Sequence, residues 1–273
     1  MTSAPRILPA GLRPVTIPSV PGLALADHRV TDPEAVVIGV HGGLDRGGSF
    51  ARLARHTSRF DTVAYDRRGY QASRALQPLG LDQHIADLVA IVDHEAPNAP
   101  VILFGHSYGG VIALGAAVER PRSVQLVVVY ETPFPWVMAR EGAEPPPTAD
   151  PANEAQRFYQ RVALSRPWET LTRQDRRDRQ LDGVALLADL ATLYDGSALP
   201  FAIEDLQVAT LYVHGDVLHY DYHRALSLEL VRRYHVFERR ELAATGHAVH
   251  LSRPEMLADL IGETWDRTRH SAL

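Results

Sequence analysis

The segment Gly105-His-Ser-Tyr-Gly109 constrains the fold more than any other part of the sequence. A short apolar run, 101–104, leads directly into it, and an alanine-rich apolar run, 111–118, follows it. Because glycine has no Cβ, Gly105 and Gly109 allow the chain to reverse sharply and the next helix to pack closely. The pattern predicts a strand, a tight turn and a helix, with the Ser107 hydroxyl raised above the end of a sheet.

The apolar runs at 34–40 and 124–130 predict further buried strands in the same sheet, and 60–65, 208–214 and 235–242 are predicted to be its other strands. Continuous apolar runs are typical of strands that are covered on both faces of a parallel sheet. Helical patterns between these strands indicate βαβ units with right-handed crossovers. We therefore predict an α/β fold with a mostly parallel, doubly wound sheet. The proline-rich region 1–33 has room only for short edge strands, and 23–30 is the best candidate.

Region 133–205 has a different character, because no strand pattern occurs between 131 and 207. It is rich in proline up to about residue 151, and three helical patterns follow, at 153–165, 168–180 and 181–194. We predict that 133–205 is a helical cap inserted into an α/β core formed by 1–132 and 206–273.

Composition excludes several classes of function. A formal charge of −5 over 273 residues leaves no basic surface for nucleic acid. The absence of cysteine excludes disulfides, thiolate metal sites and a cysteine nucleophile. Neither a signal-peptide pattern nor an apolar run of membrane-spanning length occurs. We expect a cytoplasmic protein that binds neither nucleic acid nor membrane, and the sequence gives no indication of oligomeric state.

A serine hydroxyl needs an adjacent base to act as a nucleophile, and that base needs a carboxylate to orient it. We call the tight turn that carries Ser107 between the strand and the helix the elbow. With the serine on such an elbow, the base follows the last strand of the sheet. His247 occupies that position, after Gly246, and His250 is its rival by position.

Two carboxylates follow the ends of strands at positions from which they can reach that base. Glu131 follows the strand 124–130, and Asp216 follows the strand 208–214. For each, the alternative is an ordinary exposed carboxylate, since Asp and Glu are mostly exposed.

A histidine-rich stretch after the strand 208–214 raises the alternative of a metal site. Its five candidate ligands are His214, Asp216, His219, Asp221 and His223. Alternate residues share a face only on a strand, and this stretch crosses the end of one, so we expect the side chains to point apart.

Taken together, these segments resemble the α/β-hydrolase superfamily over most of the chain outside the cap. The matching segments are His41-Gly42-Gly43, Asp66-Arg67-Arg68-Gly69-Tyr70, Gly105-His106-Ser107-Tyr108-Gly109, and Gly246-His247 ahead of Pro254-Glu255. The resemblance implies Ser107 as nucleophile, His247 as base and the backbone N–H groups of Gly43 and Tyr108 as the oxyanion hole. It implies neither a metal nor an organic cofactor.

The sequence departs from the family pattern at the acid. The usual acid stands three residues after the glycine that ends the seventh strand, and here that residue is Leu218. Some branches carry the acid after the sixth strand instead, and Tyr130-Glu131-Thr132-Pro133 resembles them. We therefore favour Glu131, with Asp216 as the alternative.

The expected activity is cofactor-independent hydrolysis of a small-molecule acyl substrate, by default a carboxylic ester of a small or medium apolar acid. Thioesters, lactones and carbon–carbon bonds remain open, because the fold does not fix the substrate. A non-catalytic small-molecule receptor on the same fold is the alternative, and the unusual spacing after Gly215 is what favours it.

Overall fold

The structure is a computed structural model that describes residues 12–141, 150–163, 166–194, 196, 198–217 and 220–271. Eight strands in this part of the chain form one sheet: β1 (Arg13–Val15), β2 (Ala24–His28), β3 (Ala35–Val40), β4 (Phe60–Asp66), β5 (Val101–His106), β6 (Val124–Tyr130), β7 (Thr210–Gly215) and β8 (Phe237–Leu242). Their order is β1-β2-β4-β3-β5-β6-β7-β8, with the β1–β2 and β2–β4 pairings antiparallel and the other pairings parallel. The predicted fold class is confirmed.

Helices cover both faces of the sheet, and further helices lie in the segment between β6 and β7. They are α1 (Ala51–His56), α2 (Leu81–Glu95), α3 (Tyr108–Glu119), α4 (Pro151–Val162), α5 (Arg173–Leu181), α6 (Gly183–Tyr194), α7 (Tyr220–Arg233), α8 (Val249–Ser252) and α9 (Pro254–Ser271). Short 3₁₀ turns lie at 47–50, 71–73, 168–170 and 203–205. No helix in the described part of the chain is both long and apolar enough to cross a bilayer.

The alternation of side chains along the strands divides the core in two. Val36, Ile38 and Leu103 belong to a cluster that includes apolar side chains of α2, α3 and α7. Val37 and Phe104 point to the other face, in a cluster with residues of α1 and α9. Each central strand is therefore buried on both faces, as its continuous apolar sequence requires.

The segment 133–205 carries α4, α5 and α6 and has no strand among its described residues. These helices pack on one another around a small apolar cluster that includes Tyr159, Trp168 and Leu186, and that cluster also contains Leu44 of the core. The single helix predicted from 168 to 180 is wrong. The helix begins only at α5, because Thr172 adopts an extended conformation and its hydroxyl accepts the Asp175 N–H as an N-cap. The boundaries of the cap stay a prediction.

Candidate active site

The turn after β5 holds Ser107 in a strained conformation. Its φ of 53° and ψ of −127° lie where a residue with a Cβ is rarely found. The Ser107 N–H donates to the Tyr130 carbonyl at 2.9 Å, which ties the turn to the neighbouring strand. A Cβ on Gly109 would overlap the Val40 carbonyl oxygen, so only glycine lets α3 start this close to β3. The strand, turn and helix predicted from the motif are all present.

Glu131 lies directly behind His247. Glu131 Oε2 is 2.7 Å from His247 Nδ1, and Glu131 Oε1 accepts the Gly215 N–H at 3.0 Å. The carboxylate is completely buried, with 0% relative exposure. Because both of its oxygens are engaged, its orientation is fixed. It holds the imidazole with Nε2 as the nitrogen available to a nucleophile.

Asp216 lies away from this pair. It is exposed, and its Oδ1 accepts the Thr245 N–H at 3.3 Å. Leu218, at the usual family position of the acid, lies outside the described residues. Of the two carboxylates that the sequence offered, the structure brings Glu131 to His247.

A second histidine fixes the loop that carries the candidate base. His106 Nε2 donates to the His247 carbonyl at 2.8 Å, and the Tyr130 hydroxyl donates to the Gly246 carbonyl at 2.9 Å. The rival base His250 is 1% exposed, and its Nε2 lies 3.1 Å from Asp45 Oδ2. His250 is therefore buried and contacts the carboxylate of Asp45.

The metal ligands considered from the sequence do not gather among the described residues. His214 Nδ1 donates to the Gly215 carbonyl at 3.0 Å, and His223 Nδ1 is 2.8 Å from the Tyr212 hydroxyl. His219 lies outside the described part. A different group, Asp45, His106 and His250, has ligand atoms within 4.8 Å of one another in the region described. Each of these three side chains also takes part in a hydrogen bond within the protein.

The loop after β3 lies against the elbow. A Cβ on Gly42 would stand 2.8 Å from Ser107 Cβ, so a side chain there would displace Ser107. His41 shapes this loop, because its Nδ1 donates to the Gly42 carbonyl at 2.8 Å and its Nε2 accepts the Arg67 N–H at 2.9 Å. Gly43 follows, and it lines the same cavity as Tyr108 at the start of α3.

Arg67 is the site residue that the sequence did not single out, since a segment of Asp and Arg ordinarily predicts a polar turn. It is completely buried, and its Nη2 lies 2.6 Å from Asp189 Oδ2 on α6. The Tyr70 hydroxyl donates to the same carboxylate at 2.6 Å, and the guanidinium carbon stands 5.2 Å from the centre of the Tyr108 ring. The pair connects the oxyanion candidates to α6. Its position in the matching segment Asp66-Arg67-Arg68 was the available signal.

A cavity of about 300 Å³ lies over the elbow. Its walls combine residues of the core with residues of α4, α6 and the segment after β6. The lining includes Ser107, Tyr108, Gly43, Glu131 and His247 together with Pro133, Pro135, Phe158, Val162, Leu186, Leu190 and Leu193. A mostly apolar cavity with a few convergent polar groups is the usual form of a small-molecule site.

Acid lability is expected from two buried histidines at this site. Burial, together with the charge of Arg67, lowers the pKa of His41 to about 3. Burial, together with the charges of His250 and His247, lowers the pKa of His106 well below its usual value. Both side chains take up protons near pH 6.5 once the chain unfolds, so the folded state is favoured above that pH and loses stability as the pH falls.

The expected result is a decrease of about 1.4 kcal/mol per pH unit for each histidine in the free energy of unfolding below pH 6. Urea unfolding at pH 7.5, 6.5, 5.5 and 5.0 measures it. His41→Asn should reduce the pH dependence of the free energy of unfolding by the uptake of about one proton. His235→Gln, at an exposed position, should not change it. A free energy of unfolding that stays constant from pH 6.5 to 5.0 would contradict the prediction.

Comparison with known proteins supports this description. Residues 37–260 match the model of the alpha/beta hydrolase family. Lipase LipV of Mycobacterium tuberculosis is 32% identical over 97 residues, which cover 36% of this chain and 37% of that protein. Human monoglyceride lipase is 34% identical over 96 residues, covering 33% of this chain and 32% of the relative.

The matched segments thus span about a third of the length of these relatives. Among solved structures, a membrane phospholipase A superposes with a TM-score of 0.69 at 20% identity, covering 95% of this chain and 87% of that one. That likeness shows the fold, and the relatives named as lipases support a hydrolase. The chain belongs to the alpha/beta hydrolase family.

Proposed function

We propose that the protein is a serine hydrolase that cleaves a carboxylic ester or a related acyl bond without a cofactor. The observation that carries the proposal is the buried Glu131 carboxylate, which lies 2.7 Å from His247 Nδ1 beside the strained elbow of Ser107. A neutral imidazole held in this way has the form that a general base requires.

In the proposed reaction, Ser107 Oγ attacks the carbonyl carbon while His247 Nε2 takes the hydroxyl proton. The N–H groups of Gly43 and Tyr108 stabilise the oxyanion that forms. His247 then protonates the leaving alcohol, which departs and leaves an acyl-enzyme. Water, activated by the same base, attacks the acyl group and regenerates Ser107. Glu131 stabilises the imidazolium at each transfer.

The apolar lining of the cavity supports acyl substrates of small or medium size. Leu186, Leu190, Leu193 and Phe158 provide surface for a hydrocarbon chain. The names of the relatives LipV and monoglyceride lipase agree with ester chemistry.

Covalent labelling tests the proposal. A fluorophosphonate reacts only with a serine that a working base activates, so we expect one adduct on the intact mass of the protein and none on Ser107→Ala. Thermal unfolding of both proteins checks that the variant is folded. A folded wild-type protein that gains no adduct would contradict the proposal and favour the non-catalytic receptor.

A further inference from the structure

Two arginines lie in the otherwise mostly apolar lining of the cavity over Ser107. Arg140 belongs to the segment after β6, and Arg161 lies in the last turn of α4. We propose that these guanidinium groups bind an anionic group of the substrate, a carboxylate or a phosphate, that lies a few bonds from the scissile carbonyl. This inference rests on the proposed function and narrows its substrate class from apolar esters to anionic ones.

The position of Arg161 sets the distance from the reacting carbonyl. A Cβ built on Gly43, the proposed oxyanion donor, would stand 3.4 Å from Phe158 Cζ. The guanidinium carbon of Arg161 stands 5.2 Å from the centre of the same ring. A single aromatic ring therefore separates the oxyanion candidate from a cation. Only a short substrate places its carbonyl at one and its anion at the other.

The negative charges in the lining are already committed to other groups. Glu131 is engaged by His247 and by the Gly215 N–H. Asp189 is engaged by Arg67 and by the Tyr70 hydroxyl. Neither carboxylate is therefore available to Arg161 as a counterion within the cavity.

Arg161 forms no ion pair with a carboxylate among the described residues. Its side chain is exposed at the cavity, so it remains hydrated until a ligand arrives. An arginine presents a planar fork of donors that matches a carboxylate or a phosphate in two-pronged hydrogen bonds. The apolar walls around it lower the local dielectric and strengthen that attraction.

Hydrolysis of matched probes tests the inference. The anionic probe is the mono-4-nitrophenyl ester of glutaric acid, and its neutral match carries a methyl ester in place of the free carboxylate. We expect kcat/KM to favour the anionic probe by about tenfold or more, the effect of one charge-assisted hydrogen bond. Arg161→Gln and Arg140→Gln should each reduce this preference several-fold, with less than a threefold change on the neutral probe.

Arg177→Gln is the matched control. Arg177 is an exposed arginine of α5 outside the cavity lining, so its loss removes the same charge from the cap without touching the site. The preference for the anionic probe should be unchanged in this variant. An equal decrease in Arg177→Gln and Arg161→Gln would mean that the net charge of the cap sets the preference, which would overturn the inference.

A second pair of probes locates the anion on the substrate. In these butyrate esters, the leaving group is 4-hydroxybenzenesulfonate or its neutral sulfonamide. A preference for the sulfonate that depends on Arg161 or Arg140 supports an anion on the leaving group, and a preference for the glutarate supports one on the acyl part. Hydrolysis that requires Ser107 but shows no charge preference in either pair overturns the inference alone. Absence of Ser107-dependent hydrolysis of all four probes overturns the proposed function as well.

Discussion

Glu131→Gln is expected to lower kcat by about four orders of magnitude, the loss found when the orienting carboxylate of another serine hydrolase is replaced by its amide. Glutamine fits the same buried space and still accepts the Gly215 N–H. Its NH₂ group, however, donates to His247 Nδ1 and moves the imidazole proton to Nε2. A ring in that tautomer cannot accept the proton of Ser107.

Asp216→Asn is the matched control, because both variants replace one carboxylate at a strand end by its amide. Asp216 is exposed, and the hydrogen bond that it accepts from the Thr245 N–H is long. We therefore expect a rate within about threefold of wild type. Steady-state kinetics with an activated ester compare the two variants. If Glu131→Gln kept a near-wild-type kcat while Asp216→Asn lost activity, the acid would be Asp216.

Most of the fold could be predicted because its signals are local. The runs that became β3, β5 and β6 are continuous and apolar, and only strands buried on both faces need such a sequence. The elbow was equally readable, since Gly105 and Gly109 sit where the turn allows no Cβ. The break before α5 was not predicted, because it depends on a cap by Thr172 inside a run of good helix formers.

The sequence favoured Glu131 over Asp216 only through the family resemblance, because contact with His247 is set by the register of two strands. β6 and β7 pair so that the Glu131 N–H donates to the Val213 carbonyl at 2.9 Å, which brings the Glu131 side chain to Gly215 and His247. In the sequence, Glu131 and Asp216 are both carboxylates that closely follow a strand. Only the pairing shows that one is buried and the other is exposed.

Arg67 was missed for a related reason. Its partner Asp189 lies in the helices between β6 and β7, far along the chain, and a polar segment of Asp and Arg ordinarily indicates an exposed turn. Burial of an arginine depends on a carboxylate that arrives from another element. Neither residue alone carries that information.

Asp189→Leu is expected to destabilise the protein by about 3–5 kcal/mol, the usual cost of leaving one member of a buried ion pair without its partner. Arg67 has no exposed surface, so water cannot solvate its charge after the substitution. Burial alone raises the pKa of Asp189, but the charge of Arg67 and the hydrogen bonds from His84 and Arg67 together outweigh it and hold that pKa below its usual value. The pair is therefore ionised at neutral pH, and its loss is measured as a decrease in the free energy of unfolding in urea.

The double variant Arg67→Met/Asp189→Leu separates the effect of an unpaired buried charge from the effect of the volume that the two side chains fill. Apolar side chains at both positions leave no buried charge, so we expect it to recover a large part of the stability lost in Asp189→Leu. Glu229→Gln serves as the control, because its ion pairs with Arg232 and Arg233 lie on the surface of α7, where solvent screening leaves such pairs only a small contribution to stability. If Asp189→Leu cost no more than Glu229→Gln, the buried pair would not be what ties α6 to the loop beside the elbow.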